Sequence, residues 1–557
     1  MTAANDASKH FGLWLLAFVL TVIGAQCWLV SLYGSALPFW DQWDEALTLF
    51  KPWKEGHLTL ADVIAPDSDH RIIPTHFLDM ALITLNGRWD PLLQMTVNAF
   101  IHAVYAAGLA FCLWHFLGRK NGWLVCGLLL PFFTLPFAGE NAIWGINSLW
   151  YFINVFGLAA IVGLGFFRPG SWLWWLGLAA ALLSLLTMAL GPFPPVAVAG
   201  LMILRAIKNR RLDRQNLISL GACLLLAGLG LAMGVHAQGY HPLQAHSFAE
   251  FVAAIIRHLG WPFYRWPGMA GVIALPLVVL LVYYLRPNFQ APRAAEFLLT
   301  LALWSVIQST VLAFGRANYG EGIPASRYTE VFSVLLMASL FATVLLGEQW
   351  HNRFPKWNGL LLPLVFAGVI FWGLQQMSDI VVDNLLLPTR IMNVVAEERT
   401  ATFMATGNEK DLLERPTIGP KPEVALEVFR NKDLQPILPV SCIPPGAGHA
   451  GWLTTASAWL LRHAIVMVAG GLILFIGLCG FGLARGTMDL TLKKPEGIVA
   501  LVAGLAALSF VWSKQSLQRE SVEFGIQQQL AADFKSAGSL GRAAYHAQKA
   551  DELKAVK

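Results

Sequence analysis

The chain has 557 residues, of which 56% are hydrophobic and 13% charged, and its formal net charge is +5. Apolar runs of about 20 residues recur along most of it, and a run of that length spans a bilayer as a helix. This composition predicts an all-α polytopic membrane protein. Strands are disfavoured because the runs are continuous rather than alternating. Nucleic-acid binding is disfavoured because the basic residues lie in short loops between the runs.

The apolar runs predict about thirteen membrane-spanning helices. In chain order they cover residues 12–36, 91–117, 122–138, 148–167, 172–190, 193–207, 217–236, 268–286, 294–313, 328–347, 358–377, 458–484 and 497–513. The first has no A-x-A-like cleavage site, so we expect a retained helix and not a signal peptide. The sequence GPFPP, from Gly191 to Pro195, divides one long run into two helices because proline ends or kinks a helix.

The basic residues predict which loops face the cytoplasm, because short cytoplasmic loops carry an excess of Lys and Arg. With the N-terminus inside, the predicted cytoplasmic loops contain Arg119 and Lys120, Arg168, Arg205 to Arg214, Arg286 and Arg293, Arg353 and Lys356, and Arg485 with Lys493 and Lys494. The first loop on the opposite side, residues 37–90, has nine acids against four Lys or Arg. The N-terminus is therefore predicted to be cytoplasmic, and an odd number of helices places the C-terminal tail outside.

Two predicted outer segments are large enough to carry structure of their own. The first, residues 37–90, contains two amphipathic stretches, Leu47 to Leu60 and Thr75 to Leu85, which we expect to lie on the membrane surface as helices. The second, residues 378–457, is polar and rich in proline, and predicts a small outer subdomain that is α/β or irregular. The predicted organisation is a transmembrane module 1–377 that includes the first outer loop, the outer subdomain 378–457, C-terminal helices 458–513 and a polar tail 514–557.

The unusual polar motifs all map to the predicted outer side. They are DQWDE (Asp41 to Glu45), DSDHRIIP (Asp67 to Pro74), ENAIWG (Glu140 to Gly145), Gly315-Arg316 and SRY (Ser326 to Tyr328). Scattered surface polarity would fall on both sides, so this distribution indicates an active site on one face. Asp41 and Asp44 share a side of DQWDE if that segment is helical.

Structural interpretations of the same residues stay open. An acid just outside a span is often a solvated boundary residue. Glu140 and Asn141 are also suited to cap the helix of ENAIWG. Arg316 and Arg327 can bind lipid headgroups, or else a phosphate or pyrophosphate through the planar guanidinium.

These motifs together resemble the GT-C superfamily of polytopic membrane glycosyltransferases, and most closely an uncharacterised bacterial group of GT-C-like proteins. The group's pattern is matched by WDQWD (Trp40 to Asp44), HRI (His70 to Ile72), ENAIWG, Gly315-Arg316, SRY and a late ILP (Ile437 to Pro439). The resemblance rests on the order and common side of the motifs, and covers the chain to about residue 440.

The resemblance implies an inverting glycosyltransferase with a GT-C-like helix bundle in the bacterial inner membrane, its active site on the periplasmic face. The expected partners are a polyprenyl-phosphate-linked sugar as donor and an envelope lipid, glycan or protein as acceptor, with no nucleic acid. The implied roles are general base for Asp44, with Asp41 and Glu45 as alternatives; donor-phosphate binding for His70, Arg71, Arg316 and Arg327; and a sugar or acceptor pocket for Glu140, Asn141, Trp144 and Tyr328. No metal ligands are predicted, although some GT-C enzymes depend on a divalent cation.

Two other functions compete with the transferase. A lipid flippase or transporter needs ionisable residues within its spans, and the apolar runs show few, chiefly His102, His115 and Glu296. An O-antigen-type polymerase or ligase places its charged determinants in large late loops, whereas the acids here cluster early in the chain.

Overall fold

The computed structural model describes residues 2–67, 70–118, 122–234, 242–287, 289, 292–318, 324–353, 361–413, 422–443, 451–484, 523–528, 530–532, 534–535 and 540–555. Within these residues the secondary structure is helical, and the one β-bridge, between Asp67 and His70, is isolated. The prediction of an all-α multi-pass membrane protein is therefore confirmed for the described chain. The predicted helix at 497–513 lies outside it.

The helices are numbered in chain order. They are α1 (Thr2–Tyr33), α2 (Asp41–Glu45), α3 (Lys51–Lys54), α4 (Leu60–Ile64), α5 (Ile73–Asn86), α6 (Pro91–Phe116), α7 (Gly122–Thr134), α8 (Gly139–Ala142), α9 (Ser148–Phe166), α10 (Trp172–Leu185), α11 (Phe193–Asn209), α12 (Arg214–Ala232), α13 (Phe248–Leu259), α14 (Gly268–Tyr284), α15 (Pro292–Gly315), α16 (Thr329–Arg353), α17 (Leu361–Val381), α18 (Leu387–Thr406), α19 (Lys410–Leu413), α20 (Pro422–Arg430), α21 (Trp452–Arg462), α22 (Ala464–Ala484) and α23 (Leu540–Ala555). Among the described residues, nine helices are long and apolar enough to cross a membrane, and α10 and α14 are shorter apolar helices.

Proline and polarity explain where the helices end. The GPFPP sequence separates α10 from α11, and α11 begins with prolines in its first turn, where the missing N–H costs nothing. The helix predicted at 358–377 does not end there, because it continues through a π-helical turn (Val382–Leu386) into α18. The apolar pattern stops where the helix leaves the apolar layer, so it gives no sign of this extension. The run predicted as one helix at 458–484 is divided at His463 into α21 and α22.

Close helix contacts depend on glycine at one crossing of α9 and α10. A Cβ on Gly177 would lie 2.7 Å from Gly163 Cα, and a Cβ on Gly163 would lie 2.5 Å from Gly177 Cα. Small residues at such a crossing let two membrane helices approach closely.

We therefore expect Gly177→Val to destabilise the protein by about 1–3 kcal/mol, because the two backbones must separate to admit the side chain. The matched control is Gly221→Val in α12, where a Cβ meets no atom within 4 Å. Thermal unfolding in detergent measures the difference. Equal melting temperatures for the two variants would contradict the role given to this crossing.

The first outer loop and the second outer segment form one cap at the end of the bundle that carries DQWDE, called here the outer end. Phe50 and Trp89 from the first loop pack in one hydrophobic cluster with Leu426 and Phe429 of α20. Leu49 and Phe50 are buried, so the stretch from Leu47 to Leu60, predicted to lie on the membrane surface, instead packs partly into protein. The described residues between 378 and 443 contain helices and no strand.

The described part of the C-terminal tail lies at this same end. Ile526 and Leu530 pack against Val395 of α18. The His546 Nε2 atom lies 3.3 Å from Glu398 Oε1, also on α18. Helix α18 itself contacts the start of the first loop, where Glu397 Oε1 accepts hydrogen bonds from Ser35 Oγ and Ala36 N. These contacts do not test the predicted number of spans, so the outside location of the tail stays a prediction.

Candidate active site at the outer end of the bundle

Helix α2 places the polar residues of DQWDE on two different sides. Asp41 and Asp44 are half-buried, whereas Gln42 and Glu45 are fully buried on the other side. Residues three apart in a helix share a face, so the expectation that the two aspartates lie together agrees with the helical conformation of the segment. Trp43 packs in the cap against Trp89 and Phe429.

Trp40, the residue before α2, has a positive φ of 49°. A non-glycine residue in this region costs about 1–3 kcal/mol and persists only where the surroundings hold it. Its side chain is 44% exposed, and its ring stacks against that of Trp144, with centroids 6.1 Å apart. Phe39 packs against the same Trp144 at 5.0 Å. An aromatic surface from two motifs therefore adjoins the helix that carries Asp41 and Asp44.

The buried side of α2 is fixed to α6 through amides. Gln42 Nε2 donates a hydrogen bond to Gln94 Oε1 at 2.9 Å, and Trp89 Nε1 donates to the same oxygen at 3.0 Å. Gln42 Oε1 accepts from Phe39 N at 3.1 Å. Gly145 of ENAIWG fits against this junction, where a Cβ would come within 2.7 Å of both glutamine side chains. DQWDE and ENAIWG thus meet on one residue of α6, Gln94.

Glu45 faces Asp79 of α5, and each is only 1% exposed. The polar groups that interact with this pair are the two carboxyls themselves and the Gln94 side chain. Burial raises the pKa of Glu45 well above its ordinary value, and the charges of Asp79 and Asp67 raise it further. Burial also raises the pKa of Asp79 to about 7, an effect that the Gln94 and Glu45 side chains partly offset. Burial and the neighbouring charges favour the protonated form of Glu45, which makes Glu45 a less suitable base than its half-buried neighbours Asp41 and Asp44.

ENAIWG connects α2 with the SRY motif. At its C-terminal end, Asn98 Nδ2 of α6 donates to Gly145 O at 2.8 Å and to Trp144 O at 3.3 Å. At its N-terminal end, Glu140 forms an ion pair with Arg327. Asn141 Nδ2 donates to Arg327 O at 3.2 Å. Glu140 and Asn141 are buried, and their side chains contact SRY rather than capping α8.

Two guanidinium groups converge on one phenol beside that ion pair. Arg316 Nε and Arg327 Nη2 each donate to Tyr328 OH at 3.3 Å. The Arg327 guanidinium also lies over the Tyr328 ring, 4.9 Å from its centroid. Gly315-Arg316 and SRY are therefore brought together, with Glu140 as the acidic partner of Arg327. Such a pair of guanidiniums can bind a phosphate.

His70 and Arg71 lie beside the turn between α10 and α11. Ala189 N donates to His70 Nδ1 at 3.4 Å. Arg71 Nη1 donates to Met233 O, just past the end of α12. These contacts connect DSDHRIIP to the helices around α10 and not to Arg316 or Arg327. The role of His70 and Arg71 in donor binding therefore stays a prediction.

Several polar residues of the site went unnoticed in the sequence because each stands alone in an apolar run. Gln94 and Asn98 form hydrogen bonds with DQWDE and ENAIWG, and Asp79 lies against Glu45. Glu330 follows SRY in the first turn of α16, where its Oε2 accepts from Asn154 Nδ2 at 2.8 Å. Their sequence does contain one indication of a shared buried face, because polar residues recur every three or four positions along α6.

The described residues contain no group of three or more His, Cys, Asp or Glu side chains that could hold a metal ion. No protein-family model, curated protein or solved structure matches the chain.

Proposed function

We propose that the protein is an inverting membrane glycosyltransferase that moves a sugar from a polyprenyl-phosphate donor to an acceptor hydroxyl at the outer face of a bacterial inner membrane. The observation that carries the proposal is the arrangement around ENAIWG. One end of this segment adjoins the acids and the Trp40–Trp144 stack, and the other pairs with SRY beside Arg316. A base, an aromatic surface for a sugar ring and a phosphate-binding pair are thus joined by one short segment.

In this mechanism the Asp44 carboxylate, or that of Asp41, takes the proton of the acceptor hydroxyl. The hydroxyl oxygen forms a bond to the anomeric carbon as the bond from that carbon to the donor phosphate oxygen breaks. The phosphate leaves with the bonding electron pair, and Arg316 and Arg327 stabilise its charge. The acceptor is a lipid, glycan or protein of the cell envelope. We also propose that the chain crosses the membrane thirteen times, which places the C-terminal tail on the outer side.

The proposal is tested by a transfer assay in liposomes with a panel of radiolabelled polyprenyl-phosphate sugars and cell-envelope extract as acceptor. We expect label to move into a product with the wild type, and Asp44→Asn to reduce the rate by about 100-fold or more, since general-base catalysis contributes about 10²–10⁴. Asp41→Asn separates the two candidate bases. Glu55→Gln, an exposed acid of the same loop, is the matched control and should transfer normally.

If the wild type consumes none of the donors, the protein is not a transferase of this class. Transfer by both Asp44→Asn and Asp41→Asn at the wild-type rate would instead leave the class in place and reject the catalytic assignment.

A second candidate, a lipid flippase or proton-coupled transporter, is favoured by one observation. Glu330 and His102 are buried within helices that are long and apolar enough to span the membrane, and ionisable residues there commonly serve transport. This function predicts movement of a labelled polyprenyl-phosphate sugar between leaflets without acceptor, a process that Glu330→Gln should slow and Asp44→Asn should not.

A further inference from the structure

Helix α6 carries a continuous line of buried polar side chains on one face of an apolar span. Gln94, Asn98, His102 and Tyr105 follow one another at intervals of four, four and three residues, the repeat that keeps side chains on one side of a helix. Their exposed fractions are 1%, 1%, 4% and 4%. The line covers about 16 Å along the axis, roughly half of a hydrocarbon core of about 30 Å. We call these four residues the α6 stripe.

Three members of the α6 stripe have a polar atom without a hydrogen-bond partner among the described residues. These atoms are Asn98 Oδ1, His102 Nδ1 and Tyr105 OH, whereas the Gln94 amide interacts with Asp79. Buried polar atoms are nearly always paired with protein or with water, since leaving one unpaired costs about 1–3 kcal/mol. Three unpaired atoms in one line therefore indicate groups that bind small polar species, of which water is the smallest.

Acidic groups stand at both ends of the α6 stripe. At the outer end, the Glu45–Asp79 pair faces Gln94. At the inner end, Tyr105 and Tyr151 both interact electrostatically with Glu330. The His102 ring stacks on that of Tyr151, with centroids 4.9 Å apart and an angle of 19°. Imidazole thus lies between two carboxyl sites that are themselves buried.

We propose that the α6 stripe is a proton path, completed by water, that connects the Glu45–Asp79 pair at the outer end with Glu330 inside the bundle. In the inward direction, one proton leaves the carboxyl pair and Glu330 changes from carboxylate to carboxylic acid. Gln94, Asn98 and Tyr105 hold the water molecules, and His102 accepts a proton on one ring nitrogen while releasing one from the other. The reverse sequence returns the proton, so the exchange needs no other reactant.

The groups around the path are compatible with this exchange. The titratable residues that interact with its two ends are Glu45, Asp67 and Asp79 at the outer end, and Tyr105 and Tyr151 at Glu330. His76 precedes Asp79 by three residues, and Arg327 precedes Glu330 by three. The pKa of Asp79, raised by burial to about 7, lets the outer pair release and regain a proton near neutral pH. Arg327 is engaged by Glu140. Glu330 accepts from Asn154, a neutral partner.

The test uses attenuated total reflection infrared spectroscopy on full-length protein in membrane films. Spectra of the wild type and of Glu330→Gln are recorded between pH 5 and 9. The carbonyl band that is present in the wild type and absent in the variant is assigned to protonated Glu330. The film is then exchanged from H₂O to D₂O, and the rate of the isotope shift of that band is measured. We expect His102→Phe and His102→Gln each to slow the shift at least tenfold. His102→Gln keeps a polar side chain but cannot carry a proton, which separates proton transfer from loss of packing.

The matched control is His115→Phe, a half-buried histidine further along the same helix, which should exchange at the wild-type rate. Equal rates in wild type and both His102 variants would overturn the proposal. So would the absence of any band that Glu330→Gln removes over this pH range. The readout requires no sugar transfer, so the path and the transferase can fail independently.

Discussion

Arg327→Ala is expected to lower the free energy of unfolding by about 3–5 kcal/mol, because it leaves the Glu140 carboxylate buried without its cation. Glu140 is fully buried and the Arg327 side chain is mostly so. The backbone of Glu140 is also joined to SRY, since Glu140 N donates to Ser326 Oγ at 3.3 Å. The loss should appear as a lower melting temperature in detergent.

A double variant separates this ion pair from the general effect of a smaller side chain. Glu140→Gln with Arg327→Ala should recover part of the stability lost in Arg327→Ala alone, because no unpaired charge remains. Lys51→Ala is the control: its pair with Glu427 is 3.5 Å long and partly exposed, so we expect about 0–1 kcal/mol. Strictly additive single and double effects would show that Glu140 and Arg327 are not coupled.

Asp79→Asn should make the protein more stable than the wild type at pH 8, and the advantage should shrink toward pH 5. Burial raises the pKa of Asp79 from 3.8 to about 7. Between these values the folded protein keeps a proton that the unfolded chain releases, so wild-type stability falls as the pH rises and levels off above about 7. The difference is at most about 4 kcal/mol, because one pKa unit corresponds to about 1.4 kcal/mol. Asparagine removes the charge and can donate to Glu45.

Melting temperatures measured from pH 5 to 8 test this dependence. Glu45→Gln should keep a pH dependence of the same sign, since burial, the largest cause of the raised pKa of Asp79, remains. Glu55→Gln, which is exposed, should follow the wild type at every pH. This interpretation would be contradicted if the stability difference between Asp79→Asn and the wild type did not vary with pH.

Most of the membrane helices can be found from the sequence because crossing a bilayer requires a long apolar run whatever the tertiary structure. Most predicted spans within the described residues coincide with one helix, and GPFPP divides α10 from α11 as expected, but the span predicted at 458–484 is two helices, α21 and α22. The continuation of α17 into α18 was not predictable in this way. Beyond the membrane the helix is stabilised by contacts such as Glu397 with Ser35, which join distant parts of the chain.

The motifs of the site could be recognised by their common side, but their partners could not. Asp41 and Glu45 look alike in DQWDE, and only the direction of α2 shows that one is half-exposed and the other buried against Asp79. Asp79 lies well beyond α2 in the chain and carries no local signal of its own. Gln94 and Glu330 are single polar residues whose roles depend on which helices pack together.

The unbroken helical stretch from Leu362 to Thr406 has 45 residues, which corresponds to about 68 Å. A bilayer core takes about 30 Å of this, so the rest extends into the cap, where Ala396 of α18 packs in the same cluster as Phe50 and Phe429. One residue inserted near the π-helical turn would rotate the part of the helix beyond it by about 100°, whereas seven would shift that part by about 10 Å and nearly restore its orientation. The length of this helix therefore sets both the height and the angular register of α18 against the rest of the cap.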